Sequence, residues 1–234
     1  MNLTAWGGAG WNPDADPAPV KYLVAQNGVF RILNTPVGRF QLPWPEPAPE
    51  DMEPAAATEA QVTLSVPRIP AHVLDTITRR FQAVQPQEHL LNVYWHRTED
   101  WWMIETPAQK ATPTSVEVLT PEGWRPRYDP NASELPRVLQ IHSHGALPAF
   151  FSATDDADEI ACGLYAVMGR CDTEHPTLRV RAGMAGQFLA LPMDQIFDVT
   201  AEVAAQFTPK GDDSHETAVL TDAVPTDEPT SQTN

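Results

Sequence analysis

Cysteine is nearly absent from this chain: Cys162 and Cys171 are the only two in 234 residues. Small secreted scaffolds depend on more of them, paired. A disulfide framework is therefore not expected: both thiols are expected to lie reduced in the core, with a redox or disulfide role as the alternative left by their position at residues 162 and 171. Basic residues are scarce as well. Lys and Arg number 15 against 31 Asp and Glu, a formal charge of −16. Direct nucleic-acid binding needs cations set against phosphates. An anionic membrane surface repels the same excess of acid, so neither is an expected partner. No apolar run is long enough to cross a bilayer. The opening Met1-Asn2-Leu3-Thr4-Ala5-Trp6 has neither the basic nor the apolar region of a signal peptide. A cytoplasmic, reducing location is the expectation these absences leave.

Proline is what the chain has in excess, with 24 residues in clusters that punctuate it. Residues 1–20, with Gly7-Gly8, Gly10, Pro13, Pro17 and Pro19, read as turn and loop. Lys21-Tyr22-Leu23-Val24-Ala25 and Val29-Phe30-Arg31-Ile32-Leu33 read as two strands. Asn27-Gly28 joins them, because a type I′ hairpin turn needs positive φ. Residues 1–40 are thus expected to hold a small β-hairpin element. Residues 41–60 hold Pro43, Pro45, Pro47, Pro49 and Pro54 among Glu46, Glu50, Asp51, Glu53 and Glu59, with no Lys or Arg. Such a stretch buries too little apolar surface to offset its ordering entropy, so it reads as a linker, Trp44 excepted.

Residues 62–200 read as an α+β domain. Val62 to Val66 is a strand. Leu74, Ile77, Phe81 and Val84 recur at helical spacing on one face, and Gln85-Pro86-Gln87 ends that helix. Glu88 to His96 and Trp101 to Glu105 follow as strands. Val116 to Leu119 is another, inside a proline-rich stretch, before the strand that ends at His144. Residues 156–161 read as a short helix, and 163–169, 177–183 and 186–192 as a three-strand meander. Residues 206–234 are polar, acidic and aperiodic, and are expected to be a disordered tail.

The chemistry concentrates in Arg137-Val138-Leu139-Gln140-Ile141-His142-Ser143-His144-Gly145 and in Ser152-Ala153-Thr154-Asp155 shortly after it. Side chains i and i+2 of a strand share a face, so His142 and His144 project side by side. Asp155 can return a carboxylate to them. Two imidazoles and one carboxylate leave the fourth position of a tetrahedral zinc for water, which is the catalytic rather than the structural pattern. Taken singly, the parts are common. His-x-His mostly binds nothing, and Ser-x-x-Asp is as often a helix cap. A hydrolytic zinc site also needs a proton carrier. The upstream candidates are Glu88, Glu99, Glu105, Glu117 and Glu134.

Together, in this order and spacing, His142-x-His144-x7-Ser152-x-x-Asp155 resembles the JAMM motif of the JAB/MPN metalloprotease family. The resemblance implies a cytidine-deaminase-like mixed β-sheet with flanking helices. It implies Zn²⁺ held by His142, His144 and Asp155. It makes Glu88, at the start of the strand after the first helix, the catalytic base, with Glu105 as the alternative. It gives Ser152 the task of stabilising the oxyanion. Residues 163–192 look like the bacterial branch of the family, and the chain as a whole is similar to the JAB proteins of plasmid-associated PRTRC gene systems. That likeness implies cleavage at the C-terminus of a ubiquitin-like protein, with an E1-like (ThiF-related) adenylating enzyme as a further partner. The same scaffold also serves non-catalytic subunits that only assemble complexes. Those usually lack several ligands, whereas this chain keeps all three. Two departures stand out. Gly145 replaces the family's usual proline and is expected to loosen that turn. Residues 120–136, with Pro121, Gly123, Pro126, Pro130 and Pro136, cannot form the helix that many relatives place before the motif strand.

Overall fold

Hairpin turns organise the first third of the chain. In the computed structural model, which describes residues 4–119 and 132–208, the first five strands form one sheet. They are β1 (Thr4–Gly7), β2 (Val20–Ala25), β3 (Gly28–Asn34), β4 (Gly38–Trp44) and β5 (Gln61–Leu64), paired in that order. β1 runs parallel to β2, and the other pairs are antiparallel. Gln26-Asn27 closes β2 on β3, and Gly28 follows with φ +133°, a value glycine alone adopts readily. The expected hairpin is therefore the middle of a larger sheet, and the glycine-rich start contributes a strand to it.

The stretch expected as a linker is ordered. Its first residues finish β4. Further on, Gln26 N–H donates to Ala55 O and Ala55 N–H to Val24 O, each at 2.9 Å. The Asn27 side chain donates to Thr58 O at 2.6 Å and accepts from Thr58 N–H at 3.0 Å. Gln41 Nε2 donates to Glu59 O at 2.9 Å. Hydrogen bonds to the sheet hold this segment, where its own side chains bury little. Trp44 packs against Tyr22, with the Arg31 guanidinium 4.8 Å from its ring.

The second half of the architecture begins with β6 (Ile69–Pro70), α1 (Ala71–Ala83), β7 (Leu90–His96), β8 (Trp101–Glu105), β9 (Gln109–Thr112), β10 (Ser115–Val118) and β11 (Arg137–Ser143). It continues through α2 (Ala153–Asp158), β12 (Gly163–Gly169), β13 (Thr177–Met184), β14 (Gln187–Leu191), α3 (Met193–Ile196), β15 (Phe197–Asp198) and α4 (Ala201–Phe207). The main sheet runs β14-β13-β12-β11-β7-β8. Only β11 and β12 are parallel in it, and the meander β12-β13-β14 is antiparallel as expected. The fold is mixed α+β, mostly sheet with few helices. α1 turns Val73, Leu74, Ile77 and Phe81 into the core, each burial contributing about 1.5–3 kcal/mol. Phe40 and Leu42 of β4 lie in the same buried cluster as Leu139 and Ile141 of β11 and Met168 of β12. The N-terminal sheet thus shares its core with the main one.

Other expectations shift locally. Glu88 precedes β7 rather than opening it. The single strand expected near Val116 is one arm of the β9–β10 hairpin. α2 starts before Asp155, with Ser152 as its N-cap. Residues 206 and 207, assigned to the tail, end α4. The rest of that tail, residues 209–234, and residues 120–131 of the proline-rich loop lie outside the described residues. Among the described residues no helix is long and apolar enough to cross a membrane. Cys162 and Cys171 are free, and burial pushes both thiols up to about 12.

Candidate metal site

β11 is a central strand, bonded to β7 on one side and β12 on the other. It ends at Ser143, one residue short of the expected end, and His144 follows with its N–H donating to Met168 O at 2.8 Å, so that two histidines come to one spot. His142 and His144 are both buried, and their Nε2 atoms stand 3.1 Å apart. The intervening Ser143 faces away, as the alternation requires. Its Oγ accepts from His89 N–H at 3.0 Å, and its N–H donates to His89 O at 2.9 Å.

Gly145 turns the chain just beyond. Its φ is +56°, and a Cβ there would lie 3.1 Å from Pro86 O. Proline, fixed near −65°, cannot take this conformation. The turn is not loose. Gly145 O accepts from Cys171 N–H at 2.8 Å, and His144 O from Leu147 N–H at 2.9 Å. The expectation of a loosened turn is corrected: the glycine is what this tied geometry requires.

Asp155 reaches the histidines from α2 through a capping box. Asp155 N–H donates to Ser152 Oγ at 3.2 Å, while Ser152 N–H and Oγ–H donate to Asp155 Oδ2 at 2.6 and 2.7 Å. One carboxylate oxygen is thereby engaged. The other, Oδ1, lies 3.2 Å from His142 Nε2. Helix cap and candidate ligand are the same four residues.

The three donor atoms lie within 4.8 Å of one another. Ligands held 2.0–2.1 Å from a tetrahedral zinc stand roughly 3.3 Å apart, close to the 3.1 and 3.2 Å separations here. Burial pushes His142 down to about 4, against the pull of Asp155, with His144 and Arg181 adding to the fall. Burial lowers His144 too, again opposed by Asp155. Both rings are therefore neutral at pH 7, the form that ligates a metal. The donor set fits a divalent zinc-type ion.

Glu88 sits in the same electrostatic neighbourhood. It is 5% exposed. Its N–H donates to Thr112 O at 2.8 Å, and the Ser143 contacts to His89 pin the next residue. Burial raises its carboxyl from 4.5 to about 7, and the Asp155 charge adds to the rise. The other candidates are engaged elsewhere. Glu105 accepts from Asn92 Nδ2 at 3.3 Å and Tyr94 Oη at 3.1 Å. Glu99 accepts from Trp101 Nε1 and Glu134 from Thr98 N–H. Glu117 is exposed on β10, opposite Lys110. Two neighbours were missed from the sequence. Phe150 meets the His144 ring edge-on at 4.5 Å between centroids. Arg181 is buried on β13 and pairs with acids on either side of α2's end.

A family model described as prokaryotic homologs of the JAB domain matches residues 70–182. These residues belong to the JAB family. The matched segment runs from the start of α1 into β13 and contains Glu88, His142, His144, Ser152 and Asp155. JAB domains include metalloproteases and non-catalytic members. No curated protein matches the chain. Among solved structures, the solution structure of protein DSY2949 from Desulfitobacterium hafniense is similar at 15% identity and a TM-score of 0.42, covering 53% of this chain and 88% of that one. So slight an overlap bears on neither fold nor function.

Proposed function

We propose that the JAB domain is a zinc-dependent metallopeptidase or isopeptidase of the JAMM type. In this reading His142, His144 and Asp155 hold Zn²⁺, Glu88 carries the proton, and Ser152 stabilises the oxyanion. The observation that carries it is the convergence of three donor atoms within 4.8 Å, with a buried glutamate that feels the charge of Asp155 and whose carboxyl is pushed to about 7. Bound there, the ion would supply Lewis acidity, lowering the pKa of a water to roughly 7 and polarising the scissile carbonyl. In the metal-free chain burial and Asp155 raise this carboxyl, and the charge of a bound ion would lower it again, favouring the carboxylate that takes a proton and later returns it to the leaving amine. Ser152 Oγ holds Asp155 in the resting protein. Turning that hydroxyl toward a developing negative charge is the oxyanion role. The fold that goes with this reading is the cytidine-deaminase-like arrangement.

The substrate we propose is the C-terminal tail of a ubiquitin-like protein, in a bacterial plasmid-associated system of the PRTRC kind. An E1-like (ThiF-related) enzyme is the companion partner, and the location cytoplasmic. An extended tail docks by adding a strand to a sheet edge, and β8 and β14 are the edges of the main sheet. The non-catalytic scaffold reading is disfavoured by the intact ligand set and the buried glutamate. The test is cleavage of ubiquitin-like fusions by the zinc-loaded chain. Glu88→Gln should retain zinc and lose about 100- to 10,000-fold in rate. Full zinc occupancy with no cleavage of any such fusion would favour the scaffold.

A further inference from the structure

α2 carries Asp155, yet buries none of its side chains. A six-residue helix without an apolar anchor has little in its own packing to fix where Asp155 stands. One side chain of the main sheet grips it. Arg181 of β13 is 6% exposed. Its Nη1 lies 2.5 Å from Asp156 Oδ1. Its Nε donates to Glu159 Oε2 at 2.8 Å, and Nη2 lies 2.7 Å from the same oxygen. The guanidinium is sandwiched between the Phe151 and Phe188 rings, 3.8 and 3.7 Å from their centroids. Phe151 immediately precedes Ser152. Arg181 therefore holds the chain on both sides of Asp155, at residues 151, 156 and 159.

Stability alone is a weak reason for this arrangement, because desolvating a guanidinium and carboxylates offsets much of their attraction. What a planar fork between two carboxylates and two rings supplies is orientation. We infer that Arg181 is a positioning residue of the metal site, fixing α2 so that Asp155 Oδ1 faces His142. The inference rests on the metal-site reading above. It assigns to a residue outside the motif part of the site's affinity for its ion.

The test uses Co²⁺ titrated into the metal-free full chain, with His142→Ala marking outright ligand loss. Arg181→Gln should weaken Co²⁺ binding about 10- to 100-fold, the usual cost of removing a group that orients a ligand. In an Asp155→Ala background Arg181→Lys, which keeps the charge that also bears on His142, should change affinity less than about twofold, since the fork then has no Asp155 to place. In the metal-free protein, hydrogen exchange at residues 155–159 should quicken. Arg181→Lys keeps the buried charge but not the fork. It should fall between, and it serves if Arg181→Gln does not fold. Equal losses from Arg181→Lys in both backgrounds, or a folded Arg181→Lys that binds Co²⁺ like the wild type, overturn the inference. A wild-type chain that takes up no Co²⁺ defeats the zinc reading instead. Exchange then decides alone whether Arg181 holds α2, and unchanged exchange means it does not.

Discussion

Burying Glu88 costs the folded protein stability, and that cost is measurable without any substrate. Its carboxyl is raised from 4.5 to about 7, chiefly by burial and secondarily by Asp155. The sign follows from linkage. A group whose pKa is higher folded than unfolded gives its full stabilisation below the unfolded value, and loses it as pH rises through the folded one. Stability of the metal-free chain should therefore fall between pH 4.5 and about 7 on account of this one group. At 1.36 kcal/mol per pKa unit, the ionised carboxylate costs the fold on the order of 3 kcal/mol at pH 8. Glu88→Gln keeps the shape and cannot ionise. The variant should be more stable than the wild type by about that amount at pH 8, and by less than about 1 kcal/mol at pH 5. For a chain of this length the gain at pH 8 amounts to a Tm rise of roughly 6–12 °C. The assay is thermal or urea unfolding of both proteins in chelator across that range. A pH-independent difference, or a Gln variant less stable at pH 8, refutes a buried, neutral-leaning Glu88.

Three further outcomes follow from the same geometry. Ser152→Ala removes both the helix cap and the hydroxyl that holds Asp155 Oδ2. Stability should drop by about 1 kcal/mol and zinc affinity by about tenfold, whereas a fall in turnover with zinc affinity unchanged would confine Ser152 to the oxyanion. Gly145→Pro demands a φ near −65° where the chain has +56°. Denaturant unfolding should show a loss of more than about 2 kcal/mol, and an unshifted midpoint would mean the turn readily rebuilds. His142 stays neutral down to about 4, so protons should not compete for it above that pH. In the metal-free chain an NMR titration should find the His142 ring still neutral at pH 5, and a protonation midpoint near 6.5 would show an ordinary, solvated histidine.

What was legible in the sequence was local. His142 and His144 share a face because a strand's period is two, and the helix of Leu74, Ile77 and Phe81 follows from 3.6. Glu88 carries no such local mark. Its backbone is tied to Thr112 of β9, and that of the next residue to Ser143, both distant in sequence, so only the family likeness singled it out. The segment at 41–60 was misread because composition measures what a stretch can bury, and this one is held by Asn27 and Gln41 through hydrogen bonds. Arg181 was invisible for a related reason. Its carboxylate partners lie 22 and 25 residues away, and only the register of β13 against the end of α2 brings them together.

Reading Ser-x-x-Asp as either a cap or a ligand posed a false choice. The capping box consumes Oδ2 and leaves Oδ1 aimed at His142. Helix capping, a property of four consecutive residues, thus orients the carboxylate before any ion arrives. Preorganisation of this kind lowers the cost of binding, but it orients the carboxylate only relative to α2. The placing of α2 against β11 falls to Arg181 and the rings about it. The strength of the candidate site should therefore depend on two separable things, the cap within the motif and the clamp outside it. Substitutions at Ser152 and Arg181 should weaken metal binding by different routes, each only while Asp155 is present.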